Sequence, residues 1–146
     1  MNRSIKPLLL AALVSGCQTA PSSQTVDTRP GEISGNSESA IAGDMASRFV
    51  ETIDNQQLPE VHLSASSDQS RAALATALSL WGYSVVQQPS DAKAMKAATT
   101  VAYDLTAFED LVLARISTPN LTLTRAYRTN PGGAEPTTPL AVARDL

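Results

Sequence analysis

One thiol, one imidazole and a pair of adjacent carboxylates are the groups in this chain best suited to chemistry. Cys17 is the only cysteine and His62 the only histidine. A zinc site takes three or four Cys, His or carboxylate ligands, so it has no plausible set here. Nucleophilic catalysis fares no better: no serine sits in a Gly-x-Ser-x-Gly setting, and only His62 could serve as base. Glu109-Asp110 has the residue types of a glycosidase pair, yet adjacent acids between two strand-like runs read more simply as a solvated turn. Gly132-Gly133 has neither the strand-to-helix context nor the lysine of a phosphate-binding loop. His62, flanked by Val61 and Leu63, reads as a surface or sheet-face residue. The residues therefore point away from an enzyme, with no small-molecule substrate.

The thiol is different. Cys17 closes a segment that starts with two cations, Arg3 and Lys6, and continues with an apolar run from Pro7 to Val14. The small residues Ser15 and Gly16 come directly before it, which is the tripartite layout of a secretory signal. The run is too short to cross about 30 Å of hydrocarbon, which takes about 20 residues. Val14-Ser15-Gly16-Cys17 resembles a bacterial lipobox, with residues 14–16 as the signal-peptidase recognition site and Cys17 as the lipidated residue. Covalent lipid on Cys17 is the one prosthetic group expected, and no other cofactor or metal is. Several acyl chains, at ~0.8 kcal/mol per buried methylene, hold a protein where a single chain does not. Gln18 is the sorting position; in enterobacterial-type lipoproteins an Asp there favours inner-membrane retention, so Gln predicts the periplasmic face of the outer membrane.

Of the 11 cations and 14 anions, Arg3 and Lys6 leave with residues 1–16, so the mature chain of 130 residues carries a charge of −5. An acidic chain without basic clusters has no electrostatic pull on phosphates, which argues against direct nucleic-acid binding. A single cysteine excludes an intramolecular disulfide, so stability must come from a packed core. The length suits one domain plus tails.

Residues 17–36 combine the acylated cysteine with a Ser/Thr/Pro/Gly/Gln-rich stretch that shows no apolar period, the composition of a flexible tether. A domain is expected over 37–129. Ile41, Met45, Phe49 and Ile53 recur every fourth residue and predict a helix of about four turns from Ser37 to near Asp54. Glu60–Ala65 is a strand candidate. Ser66-Ser67-Asp68-Gln69 offers helix-start residues, and Leu74, Ala77, Leu78 and Trp81 form a second stripe. Gly82 sits where a left-handed cap belongs, with Tyr83–Val86 as the outgoing strand. Asp91–Ala98 reads as a loop. Three runs then alternate with period two, Thr100–Thr106, Leu111–Ser117 and Leu121–Tyr127, joined by turns at Glu109-Asp110 and Pro119-Asn120. Residues 130–146 are a Pro/Gly-rich C-terminal tail, loop-like through Pro139, with Leu140–Leu146 either docked or frayed.

The expected fold is α+β: two helices packed on one face of a mainly antiparallel sheet of about five strands, in the order αβαββββ. Core candidates are Leu74, Leu78, Trp81, Val101, Tyr103, Leu105, Leu113, Leu121 and Leu123. Trp81 continues its stripe and so belongs to the core; exposed at the helix end it would instead be a binding hot spot. Arg115, Arg125 and Arg128 on neighbouring strands either shield a sheet edge or form a patch for an acidic partner. Leu121–Tyr127, as the last strand, is expected to offer unpaired backbone groups to a partner, with Thr124 at its middle.

Several strings together, Gly-Cys-Gln-Thr at 16–19, SAIAGDMASRF at 39–49, WGYSVV at 81–86 and VLARISTPNLTLTRAY at 112–127, resemble the TrbH proteins of conjugative plasmid transfer over nearly the whole chain. That resemblance implies a lipoprotein of the Trb mating-pair-formation apparatus, a type IV secretion system. It further implies contacts with TrbG-like and TrbI-like channel subunits and a structural role in plasmid transfer. The alternative is a periplasmic binding or inhibitor lipoprotein, concerned with entry exclusion or cell-wall association.

Overall fold

The computed structural model describes residues 32–53, 60–86 and 98–145. Cys17, its preceding residues Val14, Ser15 and Gly16, the sorting residue Gln18, most of the tether and the loop at 91–97 lie outside them. The element order is α1 (Gly35–Thr52), β1 (Val61–Ala65), α2 (Asp68–Leu80), β2 (Val85–Val86), β3 (Thr99–Phe108), β4 (Leu111–Thr118), β5 (Leu121–Asn130), β6 (Gly133–Pro136) and β7 (Ala141–Arg144).

Both helices begin with the same local device. Ser34 and Ser67 are the N-caps, each accepting from the backbone N–H three residues on, at Ser37 and Ser70, which satisfies donors that the first turn leaves free. The end of α2 matches the expectation for Gly82. Its φ is 86°, its N–H donates to the Ser79 carbonyl at 3.0 Å, and the Tyr83 N–H donates to Leu78 at 3.2 Å. These two bonds close the helix with a left-handed residue that carries no Cβ penalty. The stop at Leu80 makes Trp81 the C-cap.

The sheet runs β2-β1-β3-β4-β5-β6, and β7 also pairs with β5. β1 is parallel to both β2 and β3, so β1-α2-β2 is a short crossover unit. β3, β4 and β5 form the expected antiparallel meander, with Tyr103, Ile116 and Leu123 aligned across it. The sheet is larger than five strands because the C-terminal segment joins it. Gly133–Pro136 pairs with Tyr127–Asn130, and Ala141–Arg144 pairs with Leu121–Thr124. The loop-like reading of 130–139 is thus corrected for residues 133–136, and of the two readings for the C-terminal end the docked one holds over Ala141–Arg144. Gly133 and Pro136 hid β6, since such residues are tolerated where only one edge of a strand must be paired.

One face of the sheet carries the core. Ile41, Met45 and Phe49 from α1 and Leu74 and Leu78 from α2 meet Val61, Val101, Tyr103, Ile116 and Leu123, all essentially without exposure. Leu121 is buried and Leu105 packs against the cluster. Two expected core residues are not there. Leu113 is 46% exposed, because it shares its phase of β4 with Arg115, and pairing with β3 and β5 turns Val112, Ala114 and Ile116 toward the helices. Trp81 is 51% exposed, since the helix ends one residue short of continuing the stripe.

Candidate functional site

The expected partner-contact residues do not form one surface. Arg125 shares its sheet face with Leu123 and Tyr127, where its Nη1 donates to Asp44 Oδ2 of α1 at 2.9 Å and its Nε to the Thr138 carbonyl at 3.0 Å. Arg115 and Arg128 lie on the opposite, helix-free face. Arg115 stands between Asp104 and Thr124, and Arg128 donates to Asp110 at 3.2 Å. A single cationic patch is thereby ruled out, because alternate residues of a strand point to opposite faces. Thr124 is no edge residue either: Arg115 flanks it on one side and Ala141 on the other. The terminal-edge expectation for Leu121–Tyr127 fails because β6 and β7 occupy that edge. Trp81 does reach solvent, next to Leu80, which is 85% exposed.

His62 lies in β1 between Val86 of β2 and Thr100 of β3, half-buried. Among the described residues, no group of three or more His, Cys, Asp or Glu side chains is close enough to hold a metal ion.

Polar side chains that the sequence did not mark instead clamp the helices to the sheet. Asp44 Oδ2 receives Tyr127 Oη at 2.6 Å as well as Arg125. Burial, then this bond to Asp44, push the Tyr127 phenol well above its ordinary value. Ser37 Oγ donates to the Gly133 carbonyl at 2.8 Å, tying α1 to β6. At Gly133 φ is 148°, and a Cβ there would stand 3.3 Å from that of Ala40; a glycine is what lets the strand run under the helix. At the other end of α1, Arg144 Nη2 donates to the Thr52 carbonyl at 3.1 Å, a bond that satisfies one helix-end acceptor.

A concave feature among the described residues lies between the two helices. Gln69 lies against Gly35 and Ser70 reaches Glu38, so the helix N-termini sit side by side. Between them runs a groove of about 490 Å³ whose one charged lining residue is Glu38. Glu38 is 7% exposed. Its Oε1 accepts from Ser70 Oγ at 3.3 Å, whereas its Oε2 has no donor among the described residues. Burial raises its carboxyl above the usual range, and the bonds to Ser70 and Gln69 only partly offset that. The Tyr103 hydroxyl is also buried without a partner; burial first, then the Glu38 charge, push that phenol upward.

The family model described as "Conjugal transfer protein TrbH" matches residues 19–145. A protein of Sinorhizobium fredii (strain NBRC 101917 / NGR234) named "Probable conjugal transfer protein TrbH" is 36% identical over 144 residues, covering 97% of each chain. No solved structure matches.

Proposed function

The chain belongs to the TrbH family of conjugal transfer proteins, and from that premise we propose that it is a non-enzymatic, structural lipoprotein of the mating-pair-formation apparatus. It is anchored through Cys17 to the periplasmic face of the outer membrane and supports plasmid transfer by contacts with channel subunits of the TrbG and TrbI kinds. The observation that carries this reading is the family match over almost the whole chain. The Val14-Ser15-Gly16-Cys17 string supports the anchor, and Gln18 supports outer-membrane sorting.

The test compares wild type, a gene deletion and Cys17→Ser in donor cells. Palmitate labelling should vanish with Cys17→Ser, and transfer and co-purification of the channel subunits should fall in both altered strains. Labelling that persists in Cys17→Ser removes the anchor from the reading. If the deletion leaves transfer and assembly intact while altering recipient ability or cell-wall binding, the binding or inhibitor lipoprotein takes its place.

A further inference from the structure

The C-terminal tip of α2 holds two large apolar side chains in the open. Leu80 is 85% exposed and Trp81 51% exposed, whereas Leu78 just before them has no exposure. A single apolar residue on a surface needs no explanation; here a leucine adjoins the chain's only tryptophan at the end of a helix. No charged residue lies between Arg71 and Asp91. The tip therefore has no charge with which to read a charged protein surface, and none that would resist entering a bilayer. An indole suits the boundary between water and hydrocarbon, because its ring is apolar and its N–H seeks a polar partner. What lies within reach of the tip follows from the chain's length. Gly35 lies against Gln69, so α1 and α2 start together, and eleven helical residues carry Leu80 about 17 Å from that point. Fifteen residues join Cys17 to Glu32, where the described chain begins. At no more than about 3.6 Å each, they span up to about 50 Å. A lipid on Cys17 thus keeps a bilayer surface within reach of Leu80 and Trp81.

We propose that Leu80 and Trp81 form a membrane-surface contact, entering the headgroup region of the phospholipid leaflet that holds the Cys17 lipid. The inference rests on the reading that Cys17 is lipidated, and adds a second point of attachment to it. Two side chains alone bind a bilayer weakly. Joined to a lipid anchor, the same contact becomes intramolecular, at an effective concentration on the order of millimolar. One anchor leaves the domain free to turn; a second point fixes its orientation. The tip of α2 then faces the bilayer and the Asp68 end faces away from it, so the membrane decides which surface is presented to channel subunits.

The experiment uses the acylated protein, purified from cells and reconstituted into vesicles of phosphatidylethanolamine and phosphatidylglycerol with no other protein present. Trp81 is the only tryptophan, so its fluorescence reports this site alone. In vesicles its emission should lie to the blue of that of Cys17→Ser in buffer. Lipids brominated high on the acyl chain should quench it, and aqueous iodide should quench it less than in Cys17→Ser. Leu80 is largely exposed, so Leu80→Glu leaves the core untouched and thermal melting nearly unchanged. It should shift the emission back to the red and restore iodide quenching, whereas Leu80→Phe should behave as wild type. If Trp81 of the acylated wild type stays open to iodide and unquenched by brominated lipid, the contact is overturned and the anchor stands. The same result joined to lost plasmid transfer in Leu80→Glu cells means that a protein covers the tip, which overturns the membrane contact equally. If Cys17 takes no palmitate in cells, the anchor reading falls, and the contact that depends on it falls too.

Discussion

Asp44 takes a phenol and a guanidinium on the same oxygen, and this pairing holds α1 to β5. Hydrogen bonds to a charged partner contribute more than neutral ones, about 1.5–3 kcal/mol. Tyr127→Phe should therefore lower unfolding free energy by that order in urea titrations near neutral pH. Because the folded-state phenol is raised, its contribution is present below the ordinary value of about 10 and is lost as pH rises above it. Wild type should thus lose stability more steeply than Tyr127→Phe between about pH 9 and about pH 11. Glu38 runs in a related sense. Its carboxyl is raised by burial, so the protonated form is the one that favours folding, and the contribution fades as pH rises past the usual carboxylate range. Glu38→Gln should stabilise the domain at neutral pH and lose that advantage near about pH 3, where both states of wild type are protonated. Equal stability of the two proteins at neutral pH would show that the carboxyl carries no burial penalty.

At the scale of elements, α2 separates a residue that packs from one that does not. Leu78 has no exposure and Trp81 is half exposed, although both fall on one helical stripe. Leu78→Asp places an unpaired charge in the core and should cost several kcal/mol out of a typical 5–15, enough to unfold much of the domain at room temperature. Trp81→Ala should cost less than about 1 kcal/mol, as surface changes do. Thermal melts of both variants check the pair; a large loss from Trp81→Ala would mean that its indole is buried. The reason lies in the cap. Once Gly82 turns left-handed, Tyr83 completes the closing bonds, and Trp81 has no further helical turn on which to pack.

At the scale of the whole molecule, the C-terminal strands protect the meander. β6 and β7 pair with β5 at opposite ends, so the ladder edge that a partner chain would otherwise join is occupied. Removing residues 140–146 deletes the pairing along Leu121–Thr124 and the Arg144 bond to α1. Stability should fall by on the order of 2 kcal/mol, and light scattering should show concentration-dependent association through the bared edge. A monodisperse truncated protein of unchanged stability would show that β7 guards nothing. By itself the sequence determined the α+β class, the element order through β5, the two helix stripes, the hydroxyl-rich start of α2 and the Gly82 cap; the start of α1, two residues before Ser37 with Ser34 as its cap, it did not. These follow from spacing along the chain, from hydroxyls before an apolar run, and from a glycine after one. It also carried the TrbH resemblance that the family match bears out. What waited for tertiary structure was every choice that depends on register. Leucines start one phase of β4 and Val112, Ala114 and Ile116 fill the other, and pairing with β3 and β5 turns Val112 inward and puts Leu113 outward on the face of Arg115. The strands at 133–136 and 141–144 show little apolar alternation of their own and exist because β5 and α1 supply their partners. The arginines divide between faces for the same reason, and the groove around Glu38 arises only when two helices, 33 residues apart at their starts, lie side by side.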